Sequence, residues 1–389
     1  MMTILPHFEP ERLQQCDALT QIIRQEIELA GGYMSFARFM ELALYAPEYG
    51  YYNAETLKFG AEGDFVTAPG ISPLFALCLA KQFAQVLAAV EGGDILEIGA
   101  GTGVLAKDVL LALEKAEQLP EHYFILERSL ALRKQQKTLL QATVPHLFSR
   151  MVWLDELPKA GIKGIIFANE MLDAMPVHCF QITEESVLER CVVWESDQFQ
   201  WRLQSPRQPI LQERLTELKQ YYALPNGYQS EINLALPSWI SQIAQSLNQG
   251  LILLVDYGYG QREYYHPARM QGTLMSFCQH QKGHDPLAWP GLQDMTAHVD
   301  FTRVVESAMD ARLNLVGYTT QAAFLFACGL MDMAHAGNLT EVERYQQNQA
   351  IKRLTLPAEM GEIVKVMGLG KSLPGRLLGF NLYDRRHDL

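Results

Sequence analysis

From residue 94 onward, short runs of apolar residues alternate with longer segments in which apolar residues recur at helical spacing. Continuous apolar runs are typical of strands that are buried on both faces of a sheet. Their alternation with helices predicts a parallel sheet whose strands are joined by right-handed crossovers. The predicted strands are 94–98, 123–127, 151–154, 164–168 and 251–255, and the predicted helices between them include 104–117 and 130–140.

Two regions interrupt this alternation. In the first, stretches 187–194 and 199–203 alternate polar and apolar residues, which predicts an antiparallel ribbon followed by helices. The second is a long polar loop followed by helices, after which 363–367 and 377–383 are predicted to close the sheet as an antiparallel hairpin. The resulting division is an N-terminal helical and loop region (1–70), an α/β core (71–176), a ribbon insertion (177–245), a core strand (246–260), a polar loop and helical insertion (261–355) and C-terminal core strands (356–389).

A glycine-rich turn, Glu97-Ile-Gly-Ala-Gly-Thr-Gly103, lies between the first predicted strand and its helix. Glycine there lets the backbone turn tightly and lets a ligand approach the helix N-terminus. The spacing is G-x-G-x-G, with Val104 where the dinucleotide fingerprint requires its third glycine, and no Gly-Lys-Ser/Thr follows as in a phosphate loop. An acidic residue before G-x-G-x-G favours S-adenosylmethionine (SAM) as the ligand, although the turn alone also fits a connection that binds nothing.

Polar residues at the ends of the predicted strands strengthen the cofactor interpretation. Ligands of open α/β sheets bind at the carboxyl ends of the strands, and Glu97, Glu127, Asp155 and Asn169 all fall there. Glu127 is placed to accept hydrogen bonds from the two ribose hydroxyls. Asp155 is placed to accept from the adenine amino group, or else it caps the segment before Pro158.

The chain carries further distinctive blocks besides the glycine turn, at 63–72, 169–178, 256–259 and 293–301. Together with 97–103 they resemble the MidA family of SAM-dependent methyltransferases, although Gly70 replaces the Glu that is more usual there, and the likeness runs from about residue 33 to 383. The resemblance implies an α/β fold, namely the Rossmann-like, mostly parallel sheet of class I methyltransferases with a C-terminal antiparallel hairpin. It also implies SAM as cofactor and a protein substrate, because mitochondrial relatives assist the assembly of respiratory complex I and methylate an arginine of one of its subunits. We expect the cofactor-binding residues to be Glu97, Gly99, Gly101, Gly103, Glu127, Asp155, Asn169 and Thr67.

Three residues are candidates for the chemistry. If one helical turn follows the fourth strand, Glu170 and Asp173 share a face and could clamp a guanidinium group, or else they are the acids of a helix capped by Asn169. Asn169-Glu-Met-Leu differs from the Asn/Asp-Pro-Pro-aromatic motif of methyltransferases that act on bases or glutamine. In the polar loop, His284, or else His298, could accept a proton or belong to a structural network, and no spacing matches a zinc site.

Composition restricts the partners. The formal net charge is −12, which disfavours nucleic-acid binding and suits a basic protein substrate. No apolar stretch is long enough to cross a bilayer, and six scattered cysteines predict reduced thiols and a cytoplasmic location. The sequence leaves a homo-oligomer open. It also leaves open a methyltransferase for a small molecule and a non-catalytic assembly factor that binds SAM.

Overall fold

The structure is a computed structural model that describes residues 8–53, 68–279, 281–335 and 339–389. Thr67 and the block before it lie outside the described residues. Short 3-10 helices occur at Tyr51–Asn53, Phe148–Arg150, Leu378–Phe380 and Arg386–Asp388. The strands are β1 (Met34–Ser35), β2 (Asp94–Ile98), β3 (Tyr123–Leu126), β4 (Met151–Leu154), β5 (Ile162–Asn169), β6 (His178–Ile182), β7 (Val187–Glu195), β8 (Gln198–Gln204), β9 (Gln229–Ile232), β10 (Leu247–Tyr259), β11 (Met275–Cys278), β12 (Gln281–Lys282), β13 (Asp294–Thr296), β14 (Val299–Asp300), β15 (Asn314–Thr320) and β16 (Val364–Lys371). The α-helices are α1 (Pro10–Leu29), α2 (Phe36–Tyr45), α3 (Ala68–Ile71), α4 (Pro73–Ala89), α5 (Val104–Lys115), α6 (Leu130–Thr143), α7 (Pro209–Tyr221), α8 (Leu236–Gln245), α9 (Gln261–Tyr264), α10 (Phe301–Asp310), α11 (Gln321–Ala327), α12 (Leu330–His335) and α13 (Glu341–Thr355).

The chain forms two compact units, each assembled from separate stretches. Unit 1 comprises Met1–Phe65, Asp173–Ala235 and Arg262–His298, and unit 2 comprises Val66–Leu172, Leu236–Gln261 and Val299–Leu389. Among the described residues, no helix combines the length and the apolar character that a membrane-crossing helix needs.

Unit 2 is built on one large sheet with the strand order β15-β16-β10-β5-β2-β3-β4, with β14 added to β10. The strands β4, β3, β2, β5 and β10 pair in parallel, whereas β16 is antiparallel to both of its neighbours. Apolar residues of the strands pack against the helices: Phe167 of β5 meets Phe83 of α4 edge to face, with 5.4 Å between the ring centroids. This arrangement confirms the predicted α/β class, with its mostly parallel sheet and antiparallel end.

The closing hairpin is made of different strands from those predicted. β16 overlaps the predicted strand 363–367, but its partner is β15, inside the segment assigned to a polar loop and helices. The prediction of a strand at 377–383 is wrong, because Leu378–Phe380 forms a 3-10 turn. An apolar residue at position 380 is explained by packing rather than by a strand. Phe380 lies over Gly317 of β15, where an added Cβ would lie 2.1 Å from the phenylalanine ring.

Unit 1 contains a five-stranded sheet in the order β1-β7-β6-β9, with β8 paired to β7, and a three-stranded sheet in the order β12-β11-β13. The predicted antiparallel ribbon is confirmed by β7 and β8, which pair from Glu189 with Gln204 to Glu195 with Gln198. Helix α2 buries Phe36 and Phe39 in the core of this unit, together with Val192 of β7. Ser35 begins this helix because its side chain accepts a hydrogen bond from the Arg38 N–H.

Candidate functional site

The glycine turn joins β2 to α5, and all three of its glycines have left-handed backbone. The φ angle is +74° at Gly99, +52° at Gly101 and +84° at Gly103, a region that other residues disfavour. A Cβ on Gly99 would come within 3.3 Å of Met171 Cγ, whereas one on Gly101 would meet nothing within 4 Å. Gly103 is the N-cap of α5, and in the described part of the chain no side chain caps this helix. Its first N–H groups therefore remain available to a ligand.

Gln136 of α6, which is fully buried, connects this turn to the ends of two further strands. Its Nε2 donates to the Gly101 carbonyl at 2.8 Å and to Glu127 Oε2 at 3.3 Å, while its Oε1 accepts from Trp153 Nε1 at 2.9 Å. Glu127 Oε1 also accepts from the Ser129 N–H at 3.0 Å. Glu127 thus stands in a fixed orientation at the carboxyl end of β3, and burial raises its pKa.

Glu97, at the end of β2, is only 2% exposed. Its Oε2 accepts a hydrogen bond of 2.8 Å from the Tyr123 hydroxyl. Burial raises the pKa of Glu97 to about 7, the bond from Tyr123 opposes this change, and the charge of Glu127 adds to it. The side chain therefore joins β2 to β3 as well as lying beside the glycine turn.

Asp155 follows β4, as predicted, but its side chain is 90% exposed and paired with Arg133 Nη1 at 2.7 Å. The same arginine donates through Nε to the Glu127 carbonyl at 2.6 Å, and through Nη2 to the Leu154 carbonyl. Arg133 thus ties the ends of β3 and β4 together. The contact of Asp155 with an adenine amino group stays a prediction.

The chain turns sharply where β5 ends. The N–H of Glu170 donates to the Val255 carbonyl at 2.8 Å. The next two N–H groups, of Met171 and Leu172, both donate to Asp256 Oδ2, at 3.1 and 2.8 Å. These bonds hold Glu170 at a φ of +48°, a conformation that costs a non-glycine residue about 1–2 kcal/mol. Strained backbone of this kind concentrates at functional sites.

This turn is not helical, so the condition under which Glu170 and Asp173 would share a helix face is not met. The alternative, a helix capped by Asn169, fails for the same reason. Asp173 belongs to unit 1, where it is buried and its carbonyl accepts from the Ala297 N–H at 2.9 Å. A catalytic role for Asp173 stays a prediction, but the shared helix face with Glu170 that suggested this role is not present.

Within the described ranges, hydrogen bonds reach only one oxygen of the Glu170 carboxylate. Its Oε1 accepts from the Ala68 N–H and from Asn169 Nδ2, both at 3.2 Å. Burial raises the pKa of Glu170 to about 7, against the lowering effect of these two bonds. Burial also raises the pKa of Asp256 to about 7, with the charge of Glu170 as a further cause. Two buried carboxyl groups with raised pKa values therefore lie on neighbouring strands, Glu170 just after β5 and Asp256 near the end of β10.

His284 lies in unit 1, in the loop between β12 and β13. Its ring meets the edge of Trp289 at 5.8 Å, and its carbonyl accepts from Ser276 Oγ at 2.6 Å. Its Nε2 is buried and has no hydrogen-bond partner among the described residues. The proposed proton-accepting role stays a prediction.

Sequence reasoning gave no role in the site to three residues of this arrangement: Arg133, Gln136 and Asp256, the last of which it noted only as part of the block 256–259. Gln136 had a detectable signal, since it is a polar residue on the apolar face of a helix that buries Leu132 and Leu140. Asp256 follows the apolar run of β10 directly, as Glu127 follows that of β3. Arg133 gave no signal, because a cation on an amphipathic helix is usually on its solvated face.

The arrangement fits SAM. Gly101 faces open space, a buried carboxylate stands at the end of β3, and Asn169 Oδ1 at the end of β5 is buried with no partner in the described part of the chain. These three features lie on β2, β3 and β5, which are neighbours in the sheet. Glu127 would accept hydrogen bonds from the ribose hydroxyls of SAM, and the backbone of the glycine turn would contact the rest of the cofactor.

Comparison with known proteins agrees with this geometry. Residues 78–319 match a family model described as an S-adenosyl-L-methionine-dependent methyltransferase. A crystal structure from Burkholderia thailandensis, of a COG1565 superfamily member bound to S-adenosyl-homocysteine, has a TM-score of 0.93 and 36% identity, covering 99% of this chain and 100% of that one. The mitochondrial protein arginine methyltransferase NDUFAF7 is 27% identical in Homo sapiens (91% of this chain, 83% of the relative), and its Drosophila melanogaster homolog is 29% identical (94% and 88%).

The comparison also corrects one expectation. A cytoplasmic location is wrong by this evidence, because the curated relatives are named as mitochondrial proteins. The inference failed because all six cysteines are buried. Buried thiols are shielded from oxidants, so their reduced state says little about the compartment.

The match over most of the chain, the seven-strand order and the glycine turn all agree on one conclusion. This chain is an enzyme that uses SAM as its cofactor, and it belongs to the MidA family of SAM-dependent methyltransferases.

Proposed function

We propose that this enzyme methylates an arginine side chain of a protein substrate, and that Glu170 binds the guanidinium group. The observation that carries the proposal is the carboxylate of Glu170, whose Oε1 accepts from the Ala68 N–H and from Asn169 Nδ2, while Oε2 has no protein donor among the described residues. A carboxylate is the natural partner of a guanidinium group. The names of the curated relatives, all protein arginine methyltransferases, support the same class of acceptor.

A guanidinium nitrogen is a poor nucleophile because its lone pair is delocalised over the planar group. SAM supplies a methyl group on a sulfonium sulfur, and when that group is transferred the C–S bonding pair stays with sulfur, which gives S-adenosyl-homocysteine. The nitrogen lone pair forms the new N–C bond, and the nitrogen loses one proton. A carboxylate beside the guanidinium localises its positive charge, which favours the lone pair on the reacting nitrogen.

Glu170 can also receive the proton that the nitrogen loses. A general base works best when its pKa lies near the working pH, and burial raises the pKa of Glu170 to about 7. After transfer the proton passes from Glu170 to water. Because Oε1 of Glu170 accepts from both the Ala68 N–H and Asn169 Nδ2, the carboxylate needs little reorganisation during the reaction.

The test is incubation of a cell lysate with radioactive SAM and the purified enzyme, followed by mass spectrometry of each labelled protein. We expect methylarginine in at least one protein, and a subunit of respiratory complex I is the first candidate to inspect. Glu170→Gln should keep SAM affinity within about threefold, by calorimetry, and lose more than about 100-fold in transfer rate. The matched control is Glu359→Gln, which changes an exposed glutamate of the same unit.

The outcomes separate the competing functions. Label on a small molecule and none on protein would favour a small-molecule methyltransferase. SAM binding with no labelled product of any kind would favour an assembly factor without catalysis. Unchanged transfer in Glu170→Gln would remove Glu170 from the mechanism.

A further inference from the structure

Asn169 is the last residue of β5, and its side-chain amide has one satisfied end and one unsatisfied end. Nδ2 donates to Glu170 Oε1 at 3.2 Å. Oδ1 is buried and has no hydrogen-bond partner among the described residues. The contact with a carboxylate also fixes which way the amide points, because only the nitrogen end can donate to Glu170.

A buried acceptor without a donor is unfavourable, so such an atom usually meets a ligand or an ordered water. A capping role is excluded, because no helix begins at this point. Asn169 is paired with Val255 at the end of the β5–β10 ladder. Its side chain therefore stands at the carboxyl edge of the sheet, where ligands of this class of fold bind.

The strand order indicates which donor Oδ1 meets. The order β4-β3-β2-β5 puts Glu127, at the end of β3, two strands away from Asn169, a separation of about 10 Å at the usual strand spacing. If Glu127 holds the ribose, the adenine lies farther toward β4. The sulfonium end then lies on the side of β5, where Glu170 stands ready for the methyl acceptor.

We propose that Asn169 Oδ1 accepts a hydrogen bond from the nitrogen that receives the methyl group, so that Asn169 is a catalytic residue rather than only part of the cofactor site. This inference rests on the proposed function in so far as the acceptor atom is a nitrogen. It does not require that nitrogen to belong to arginine.

The two neighbouring side chains then divide the work. Asn169 is neutral and cannot take up a proton at ordinary pH, so its oxygen directs one N–H and thereby turns the nitrogen lone pair toward the methyl group. Glu170 receives the proton that the nitrogen releases. The hydrogen bond between the two side chains keeps both oxygens on the same acceptor nitrogen.

A binding experiment tests the inference without knowledge of the substrate. Sinefungin is the SAM analogue in which an amino-bearing carbon replaces the methylated sulfonium, so it carries N–H donors at the position of the transferred methyl group. S-adenosyl-homocysteine has no donor there. We expect the wild type to prefer sinefungin in calorimetry, and Asn169→Ala to reduce the ratio of the two affinities roughly tenfold.

Two further variants make the test specific. Asn169→Asp keeps an acceptor oxygen at the same position, so it should retain the preference for sinefungin even though it loses the bond to Glu170. Asn248→Ala is the matched control, because Asn248 is an exposed asparagine of β10 that donates to the Ala160 carbonyl. It should leave both affinities unchanged.

The inference is overturned if Asn169→Ala leaves the affinity ratio unchanged. It is equally overturned if both ligands weaken by the same factor, because Oδ1 would then serve a part of the cofactor that the two share, such as its amino-acid group. If Asn169→Ala does not fold, the ratio measured for Asn169→Asp decides, and loss of the sinefungin preference there overturns the inference. Failure of the proposed arginine methylation is recognised separately, by the absence of methylarginine in the labelled lysate.

Discussion

Glu97→Gln should make the protein more stable at alkaline pH, and the gain can be worked out from the burial of this side chain. In the folded protein the pKa of Glu97 rises from its ordinary 4.5 to about 7. Folding therefore favours the protonated form, and stability falls as pH rises from 4.5 to about 7. At about 1.4 kcal/mol for each pKa unit, the full loss above pH 7 is roughly 3 kcal/mol. Glutamine keeps an acceptor for the Tyr123 hydroxyl and carries no charge, so the variant should escape this loss.

The assay is urea unfolding of wild type and variant at about pH 5 and pH 8, without SAM. The difference between their free energies of unfolding should grow by about 2.5 kcal/mol between these two pH values. All pH-independent effects of the substitution cancel in this comparison. Tyr123→Phe should steepen the loss of stability with pH, because it removes the hydrogen bond that lowers the pKa of Glu97. A difference that stays constant with pH would refute the reasoning.

Three further predictions concern the site. Gly101→Val should weaken SAM binding more than about tenfold in calorimetry, because valine strongly disfavours a φ of +52°; normal affinity would show that the turn does not contact the cofactor. Gln136→Leu removes the bonds to the Gly101 carbonyl and to Glu127, and we expect roughly tenfold weaker SAM binding, whereas unchanged binding would leave Gln136 a packing role only. Methyl transfer should rise with pH through about 7, because Glu170 must be ionised to receive the proton; a flat rate from about pH 6 to 8 would contradict this.

The central part of the fold could be predicted from the sequence because its signals are local. Strands β2 and β4 have the predicted boundaries, and the glycine turn lies between a strand and a helix as expected. In contrast, β15 was missed because it lies among helices, and its pairing with β16 spans more than forty residues of chain. The apolar run that includes Phe380 was mistaken for its partner, since a run that fills space over Gly317 has the composition of a strand.

The candidate site could be predicted only in part, for a similar reason. The residue types at the strand ends are visible in the sequence, but the conformation of the turn after β5 is not. Glu170 is left-handed because Asp256, which lies far along the chain, takes the next two N–H groups. Helical propensity of residues 170–173 favoured a different answer, and hydrogen bonds from a neighbouring strand override such local preferences.

The strand order of unit 2 separates the residues around the glycine turn from the turn that carries Glu170. Glu127, Gln136 and the glycine turn lie on the β2–β3 side, and they are tied to one another through Gln136. The turn that carries Glu170 is instead fixed from β10, through Asp256. Among the described contacts, the group around Gln136 and the turn that carries Glu170 meet where Met171 lies against Gly99. Substitutions at the turn after β5 should therefore change how the acceptor nitrogen is bound and deprotonated, with little effect on SAM affinity. Substitutions around Gln136 should instead weaken SAM binding and leave the handling of the acceptor nitrogen unchanged.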